Sequence, residues 1–385
     1  MTVEFVGGNR LALLESGVTY FPALEAAIAA AEHEIFIEAY IYADDPTGRR
    51  ISAALEAAAR RGVAVHLLVD GFGSRHLPPL RRQSLREAGV RVQIFRPAIS
   101  PLTLRRRRLR RMHRKQVSLD GRIAFVGGIN ITDDIDADSP AQPRFDYAVR
   151  IEGPLVGDVR GDMARLWVRV ARTHVGARSR AIPPPPPACL PAGDTSAALV
   201  VRDNVRHRTD IEEAYRAAID AAREEILLAN AYFLPGRRFR RALTDAARRG
   251  VRVVLLLQGR ADHPLQRFAS LALYGTLLDA GVEIYEYHKS MLHAKVAVID
   301  FCWVTVGSSN IDPFSLLLAR EANVVIEDRR FAADLRLSLQ RALEEGAMVV
   351  PPARWRQQPW LHRVRIWAAY ALVRMMMRIA GYGAH

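Results

Sequence analysis

Two stretches of the chain repeat the same succession of apolar and amphipathic segments. An apolar run at 34–42 is followed by a segment of helical periodicity and by a second apolar run at 63–70, and the same order recurs within 225–258. Apolar runs of this length favour buried strands, and the periodic segment between them favours a helix. Gly62 and Gly250 follow basic helix ends and are typical of helix C-caps. The pattern predicts an α/β fold made of two related halves, each a mixed sheet covered by helices.

A second repeated pattern predicts two strands joined by a tight turn in each half. A short apolar run follows Lys115 and another follows Lys295, and each leads through an aspartate and a turn into a further β-rich run. Residues i and i+2 of a strand face the same side. His113 and Lys115 are therefore expected to point into one pocket, as are His293 and Lys295.

The polar residues of this second pattern recur 180 positions apart. Each copy has a histidine, a lysine two residues later, an aspartate five residues after the lysine and an asparagine ten residues after the aspartate. The segments DYAVRIE and EANVVIE make Asp146 and Glu321 equivalent positions. A single copy is more often a structural histidine on a strand, whereas two matched copies favour one site made by both halves. The candidate residues are His113, Lys115, Asp120, Asn130 and Asp146, with His293, Lys295, Asp300, Asn310 and Glu321.

Lysine is scarce in this chain, which has 3 lysines and 52 arginines. Two of the lysines belong to the repeated motif. Lysine is a compact point charge on a flexible stem, whereas arginine presents a broad planar fork. The choice of lysine at these positions favours a tight site for an anion.

This set of side chains suits transfer of a phosphodiester group. One histidine can attack phosphorus while the other protonates the leaving oxygen. Lys115 and Lys295, helped by the two asparagines, can stabilise charge on the phosphoryl oxygens without a metal, so no cofactor is expected. The acidic pair at 146 and 321 is expected to orient the histidines. For Asp120 and Asp300, a structural role at the turn is as strong an interpretation as a catalytic one.

The charge of the chain indicates an anionic partner. The formal net charge is +14, and neither nucleic acid nor an anionic lipid surface is excluded by charge alone. A basic run directly before His113 is either a solvated loop or a site for phosphate headgroups. Ser308 and Ser315 are candidates for hydroxyl contacts to phosphate, with a structural role in the turn as the alternative. The basic run comprises Arg105, Arg106, Arg107, Arg108, Arg110 and Arg111.

Composition also sets the domain organisation. The first half is expected at 1–175, a Pro-rich linker at 176–197, the second half at 198–345 and a basic, apolar tail at 346–385. The two cysteines, Cys189 and Cys302, cannot form a disulfide framework, and no metal-ligand spacing is present. Neither a signal peptide nor an apolar stretch of membrane-spanning length is predicted.

The tail has two interpretations. Residues 361–380 are rich in tryptophan, leucine and methionine, and arginines interrupt them. That mixture is too charged for a membrane span and too apolar for an ordinary exposed helix. A helix lying on an anionic membrane surface fits both features. The alternative is a helix packed on the body of the protein or at a dimer contact.

The repeated motif resembles the signature of the phospholipase D superfamily, a paired HxKxxxxD with a downstream asparagine. The narrower resemblance is to bacterial cardiolipin synthases of the shorter, type B kind, and it covers roughly residues 5 to 345. It implies a fold of two such halves with the active site at their interface. The residues that carry it are RRMHRKQVSLDGRIAFVGGIN, DYAVRIEGP, LANAYFLPG, ARRGVRVVLLLQG, LHAKVAVID and VGSSNIDPFSL.

The resemblance also implies a reaction and a location. It implies a phosphatidyltransferase that makes cardiolipin, with phosphatidylglycerol as donor and acceptor, a phospho-histidine intermediate and release of glycerol. It implies attack by His113 and protonation by His293, which the symmetry of the motif leaves open. We expect peripheral attachment at the cytoplasmic face of the cell membrane, no nucleic-acid partner, and an oligomeric state that stays open. The alternatives are a hydrolytic phospholipase D or other phosphodiesterase and, from another class, a nuclease or nucleic-acid-binding protein.

Overall fold

The computed structural model describes residues 3–97, 110–133, 135–136, 139–172, 189–203, 206–260, 264–312 and 319–379. Three features singled out in the sequence lie outside the described residues: Arg105–Arg108, the prolines 183–187 and Ser315.

The first half is a sheet with helices on both faces. Its elements are β1 (Val6–Glu15), α1 (Ser16–Ala30), β2 (Glu34–Ala39), α2 (Pro46–Arg60), β3 (Ala64–Asp70), α3 (Pro79–Glu87), β4 (Arg91–Phe95), β5 (Gln116–Leu119), β6 (Ile123–Gly127), β7 (Ile135–Asp136), β8 (Ser139–Pro143), β9 (Tyr147–Glu152) and α4 (Leu155–Ala171).

The second half repeats this order, without counterparts of β7 and β8 among its described residues, and adds a C-terminal extension. Its elements are β10 (Thr195–Arg202), α5 (Asp210–Ala221), β11 (Glu225–Asn230), α6 (Arg237–Arg248), β12 (Arg252–Gln258), α7 (Pro264–Asp279), β13 (Glu283–Tyr287), β14 (Lys295–Ile299), β15 (Trp303–Gly307), β16 (Glu321–Glu327), α8 (Arg329–Gly346), β17 (Ala347–Val349), α9 (Pro352–Arg356) and α10 (Trp360–Ile379).

The two halves share one continuous sheet. Among the described residues its strand order is β17-β13-β12-β11-β14-β15-β16-β10-β1-β9-β6-β5-β2-β3-β4. The halves join where β1 pairs antiparallel with β10. The strands β2, β3 and β4 are parallel, as are β11, β12 and β13, and the sheet pairings between these two groups are antiparallel. The expected pair of mixed α/β halves is thus confirmed. Outward from the β1–β10 join, the strands of the two halves follow in the equivalent order on either side.

Local sequence explains the repeated strand–helix–strand unit. The Asp45 side chain accepts a hydrogen bond from the Gly48 N–H and caps the start of α2. Gly62 after α2 and Gly250 after α6 have φ angles of 95° and 92°, a left-handed conformation that glycine adopts without steric cost. The predicted C-caps are therefore confirmed in both halves.

The interior contains a central core shared by both halves and an outer core in each. Trp167 of α4 and Leu339 of α8 belong to the shared core. An equivalent ion pair links sheet and helix in each half, Glu34 with Arg160, where both side chains are buried, and Glu225 with Arg336, where the arginine is partly exposed. Repetition of this pair fixes α4 and α8 on the same face of the common sheet.

Two predicted boundaries are wrong by a few residues. β10 begins at Thr195, before the expected start of the second half at 198. At the other end, Ala347–Val349 of the expected tail pairs with β13 and so belongs to the sheet. Strand pairing through backbone groups places few demands on side chains, which is why composition did not reveal either segment.

The tail helix packs on the body with one face and exposes the other. Ile366 and Val373 of α10 are buried in the outer core of the second half, against the side of α7. Trp360, Val364 and Trp367 remain more than half exposed. Of the helices that the structure describes, none combines the length and apolarity that crossing a membrane requires.

Candidate active site

Short backbone bridges between the halves build the site. Met112 pairs with Arg320, and Phe145 pairs with Leu292, each in parallel orientation. As part of these bridges the N–H of His113 donates to the Arg320 carbonyl at 2.9 Å, and the N–H of His293 donates to the Phe145 carbonyl at 2.8 Å. Each bridge sets a histidine of one half beside the acidic residue of the other half.

The histidine–carboxylate pairs are consequently crossed. Nδ1 of His113 lies 3.0 and 3.1 Å from the two carboxylate oxygens of Glu321. Nδ1 of His293 lies 2.5 Å from Oδ2 of Asp146. The carboxylate occupies Nδ1 in both rings and leaves Nε2 as the nitrogen available for chemistry. The sequence predicted the four residues, but not that each pair spans the two halves.

Both motif lysines are buried beside the histidines. Nζ of Lys115 donates to the carbonyl of His113 at 2.7 Å, and Nζ of Lys295 donates to the carbonyl of His293. Burial, partly offset by the carboxylates of Glu321 and Asp146, lowers the pKa of Lys115 to about 7 and that of Lys295 to about 8. The third lysine, Lys289, instead forms a surface ion pair with Glu345. Lysine is thus buried in this chain only within the motif, among the residues described.

The same burial favours the neutral form of both histidines. Burial lowers the pKa of His113, and burial together with the charge of Lys295 lowers the pKa of His293 to about 3. Burial alone would raise the pKa of Asp146 and Glu321, but the adjacent lysines and histidines hold both below the usual range. The pocket therefore contains two neutral rings, two carboxylates and two cations of weakened proton affinity.

The motif aspartates lie at the far ends of the motif strands from the histidines. The Asp120 carboxylate accepts hydrogen bonds from the N–H groups of Glu32, His33 and Glu34 at 2.8–2.9 Å. The Asp300 carboxylate accepts from the corresponding three N–H groups of residues 223–225. Of the two roles left open by the sequence, this geometry supports the structural one. The prediction of a direct catalytic role is corrected, because the backbone N–H groups at the start of β2 or β11 already occupy these carboxylates.

The asparagines are buried where the second motif strands end. Oδ1 of Asn130 accepts from the Ile41 N–H at 3.2 Å, which ties the end of β6 to the end of β2. Asn310 is buried at the equivalent position. Contact of their amides with phosphate remains a prediction.

Ser308 supports a catalytic pair rather than an exposed phosphate site. Its hydroxyl donates to Oε2 of Glu321 at 2.5 Å and the side chain is fully buried. In the first half the equivalent residue is Gly128, where a Cβ atom would come within 2.2 Å of Oδ1 of Asp146. The predicted contact of this hydroxyl with phosphate is corrected, because the hydroxyl is buried and donates to Glu321 instead. The side chain of Glu321 is one methylene longer than that of Asp146, its equivalent in the first half.

The described part of the basic run is largely structural. The Arg111 side chain is buried and forms an ion pair with Asp70 at 3.4 Å. The carbonyl of Arg110 accepts from Nη1 of Arg96. The prediction that Arg111 binds headgroups is therefore corrected, since its guanidinium is held inside the protein. Headgroup binding by Arg110 and by Arg105–Arg108 stays a prediction.

Tyr40 is part of the site, although sequence reasoning missed it. Its ring packs edge-on against His113, with centroids 4.6 Å apart, and lies 5.3 Å from Nζ of Lys115. Alignment of the halves places Ala231 at the equivalent position. A tyrosine in one half facing an alanine in the other, between segments that otherwise match, was the feature of the sequence that could have indicated a special role for Tyr40.

Comparisons with known proteins agree with this geometry. Residues 24–154 and 215–343 match the family model described as "Cardiolipin synthase, PLD-like domain". The chain is 39% identical to cardiolipin synthase B of Escherichia coli strain K12, over 97% of this chain and 90% of that protein. It is 32% identical to cardiolipin synthase A of Yersinia pseudotuberculosis, over 94% of this chain and 74% of that protein.

Solved structures show the same fold at low sequence identity. The phosphatidylserine synthase of Haemophilus influenzae superposes with a TM-score of 0.69 and 12% identity, covering 98% of this chain and 97% of that one. The polyphosphate kinase of Porphyromonas gingivalis gives a TM-score of 0.59 and 16% identity, covering 96% and 53%. The family match and the identity to cardiolipin synthase B show that the chain belongs to the phospholipase D superfamily and, within it, to the bacterial cardiolipin synthases of type B.

Proposed function

We propose that this enzyme makes cardiolipin by moving a phosphatidyl group from one phosphatidylglycerol to the hydroxyl of a second, with release of glycerol. The observation that carries the proposal is the pocket of two crossed histidine–carboxylate pairs with two buried lysines. The relatives named cardiolipin synthases support this choice of substrate.

The first step forms a covalent intermediate on His113, the residue that the superfamily resemblance favours. Nε2 of His113 attacks phosphorus while Glu321 holds the opposite ring nitrogen and stabilises the developing positive charge. The bond from phosphorus to the glycerol oxygen breaks, and that oxygen takes a proton from Nε2 of His293. Lys115 and Lys295 stabilise the negative charge on the remaining phosphoryl oxygens.

The second step reverses these roles. The incoming hydroxyl gives its proton to Nε2 of His293, its oxygen bonds to phosphorus, and the bond to His113 breaks. His293 must therefore be protonated when the donor binds. Burial and the charge of Lys295 lower the pKa of His293, and a phosphodiester anion that pairs with the lysines raises it again by offsetting their charge.

Incubation with phosphatidylglycerol labelled in its phosphate tests the proposal. We expect labelled cardiolipin by mass spectrometry, and after rapid quenching an acid-labile, base-stable label on His113. The label should disappear in His113→Gln and persist, at a lower rate of formation, in His293→Gln. Phosphatidic acid as the sole product would instead identify a hydrolytic phospholipase, and a label on His293 would reverse the assigned roles.

We further propose that α10 attaches the enzyme to anionic membranes. Its buried face holds it on the protein, while residues 360, 364, 367, 371 and 375 form an apolar stripe on the opposite side at helical spacing. Arg363 lies beside one edge of this stripe, Leu361 and Leu372 extend the other edge toward Arg365, and α10 contains no acidic residue. Arginines flanking an apolar face are the arrangement expected of a helix lying among anionic headgroups.

A further inference from the structure

A loop of the first half reaches from the catalytic pocket to the protein surface. Residues 71–77, the entry loop, lead from β3 toward α3. The backbone of Gly73 lies against Tyr40, because a Cβ atom at this glycine would come within 2.8 Å of the tyrosine ring. Oγ of Ser74 donates to the Tyr40 carbonyl at 2.9 Å. Since the Tyr40 ring packs on His113, one side chain separates the entry loop from the proposed nucleophile.

Asp70, the last residue of β3, ties the entry loop to the segment that carries His113. Its Oδ1 accepts hydrogen bonds from the N–H of Phe72 at 2.8 Å and from the N–H of Gly73 at 3.1 Å. Its Oδ2 accepts from the N–H of Met112 at 2.9 Å. One carboxylate therefore sets the position of the entry loop and of the residue directly before the histidine.

The entry loop presents an aromatic ring and a cation to solvent. Phe72 is 43% exposed, and the guanidinium carbon of Arg75 lies 4.8 Å from the centroid of its ring. Nε of Arg75 donates to Nε2 of the exposed His76 at 2.9 Å, and among the described residues no carboxylate forms an ion pair with this arginine. The loop thus holds an apolar group in water beside a cation that has no acidic partner in the described chain.

Apolar and basic residues continue from the entry loop into α3. Leu80, in the first turn of α3, is 79% exposed. Between 71 and 86 the chain has one histidine, no acidic residue and four arginines, at 75, 81, 82 and 86. Exposed apolar side chains among cations suit an anionic phospholipid surface, where the apolar groups enter the headgroup layer and arginines reach phosphate. The charge would also suit an acidic protein, but the adjoining pocket takes a phospholipid, which favours the bilayer.

We propose that the entry loop, with the first turn of α3, contacts the anionic bilayer from which phosphatidylglycerol enters the pocket. Phe72 and Leu80 enter the headgroup layer, and Arg75 pairs with the phosphate of a neighbouring lipid. A donor lipid that leaves the bilayer at this contact passes Tyr40 to reach His113. The contact is separate from that of α10, and it rests on the proposed function only in taking a phospholipid as the substrate.

Quenching by brominated lipids tests this contact without measuring turnover. Phe72→Trp adds a tryptophan in the entry loop, and Leu337→Trp adds one at an exposed position of α8 as the matched control. The emission of the unmodified protein, which contains five tryptophans, is subtracted from that of each variant. With vesicles of phosphatidylglycerol brominated on its acyl chains, we expect the added emission to be quenched in Phe72→Trp and not in Leu337→Trp. Equal quenching in the two variants, or quenching in neither, would overturn the proposal.

A comparison of two substrates measures what the contact contributes to turnover. Vesicles present phosphatidylglycerol in a bilayer, whereas a short-chain phosphatidylglycerol below its micelle concentration is dispersed singly. We expect kcat/KM on vesicles, relative to that on the dispersed lipid, to fall about tenfold in Phe72→Ser and about fivefold in Arg75→Gln, because each loses one contact with the bilayer. Leu337→Ser and Arg60→Gln, at exposed positions of α8 and α2, should leave this ratio unchanged.

Turnover is scored as total cleavage of the phosphodiester, so the ratio does not depend on whether a lipid or water is the acceptor. An unchanged ratio in folded Phe72→Ser and Arg75→Gln, including an equal fall on both substrates, would refute the bilayer contact. Thermal unfolding identifies a variant that does not fold, and the other variant then decides. A lowered ratio without cardiolipin would refute the proposed acceptor and leave the contact intact. If the unmodified enzyme cleaves neither lipid, the proposed function fails and quenching alone decides the contact.

Discussion

At the scale of single residues, the pocket depends on charges that are costly to bury. Lys115 and Lys295 are almost wholly inaccessible to solvent, and burial weakens their hold on a proton. Their partners are carboxylates and histidines brought from both halves. A phosphodiester anion entering this pocket meets cations that water does not screen, which makes their attraction stronger than at the protein surface.

These lysines predict opposite pH dependences for activity and stability. Transfer needs both lysines protonated, so kcat/KM for phosphatidylglycerol should fall as pH rises above about 7 and further above about 8. The folded pKa values lie below the ordinary value of 10.5, so the unfolded chain binds more protons between pH 7 and 10.5. The free energy of unfolding should therefore rise over that window. Parallel pH series of kcat/KM and urea unfolding from pH 7 to 9 measure both; a fall of both together would contradict this account.

At the scale of elements, each motif aspartate organises the turn before a strand. Asp120 and Asp300 adopt φ angles of 52° and 48°, in the left-handed region where aspartate and asparagine are better tolerated than most residues. Each then accepts three backbone N–H groups at the start of β2 or β11. The motif therefore couples a catalytic histidine at one end of a strand to a structural anchor at the other.

Asp120→Ala should destabilise the fold without disabling the chemistry. Removal of the carboxylate leaves three partly buried or buried N–H groups unpaired, at an expected cost of roughly 2–3 kcal/mol in the free energy of unfolding. Asp300→Ala should cost less, because two of its three hydrogen bonds are exposed. Urea unfolding measures the difference, and turnover per folded molecule should stay within about twofold. A loss of turnover in fully folded Asp120→Asn would restore a catalytic role.

The helix α10 predicts a specific effect on membrane binding. Val364→Glu places a charge in the exposed apolar stripe and should release the protein from vesicles that contain phosphatidylglycerol, since a carboxylate is repelled by the anionic surface. Leu337→Glu on α8 is the matched control, because Leu337 is 57% exposed and Val364 is 55% exposed. Vesicle flotation measures binding, and equal flotation of both variants would place the attachment elsewhere, with Arg105–Arg108 and Arg110 the next candidates. Truncation before α10 is a poorer test, because it would uncover the core contacts of Ile366 and Val373.

At the scale of the whole molecule, catalysis depends on how the halves are joined. Each histidine is oriented by a carboxylate that belongs to the other half. The backbone bridges at Met112–Arg320 and Phe145–Leu292 maintain these pairs, and the β1–β10 pairing makes the two sheets one. Neither half contains a complete histidine pair.

Glu321→Gln in the second half should therefore disable the nucleophile of the first half. An amide cannot stabilise the charge that develops on His113, so the rate of label transfer to His113 should fall at least about 100-fold. Asp146→Asn should instead impair protonation by His293 and slow glycerol release. Single-turnover quenching resolves the steps. Formation of the His113 intermediate at a normal rate in folded Glu321→Gln would contradict the crossed arrangement.

The sequence alone determined the features that depend on local geometry. Apolar runs, helical periodicity and C-cap glycines predicted the repeated strand–helix–strand units, because each reports the backbone of its own segment. The two-residue spacing of His113 and Lys115 predicted a shared pocket, and the second copy predicted its partner.

Tertiary structure decided which side chains meet across the halves. The pairing of His113 with Glu321 and the turning of Ser308 toward that carboxylate both depend on the long-range backbone bridge between Met112 and Arg320. Spacing along the chain carries no record of these contacts, because their distance is set by how the two halves of the common sheet are joined. The aspartates show the same limit. Their place in the motif was evident, but only the fold showed that seven residues of nearly extended chain carry Asp120 from the pocket to the opposite end of its strand.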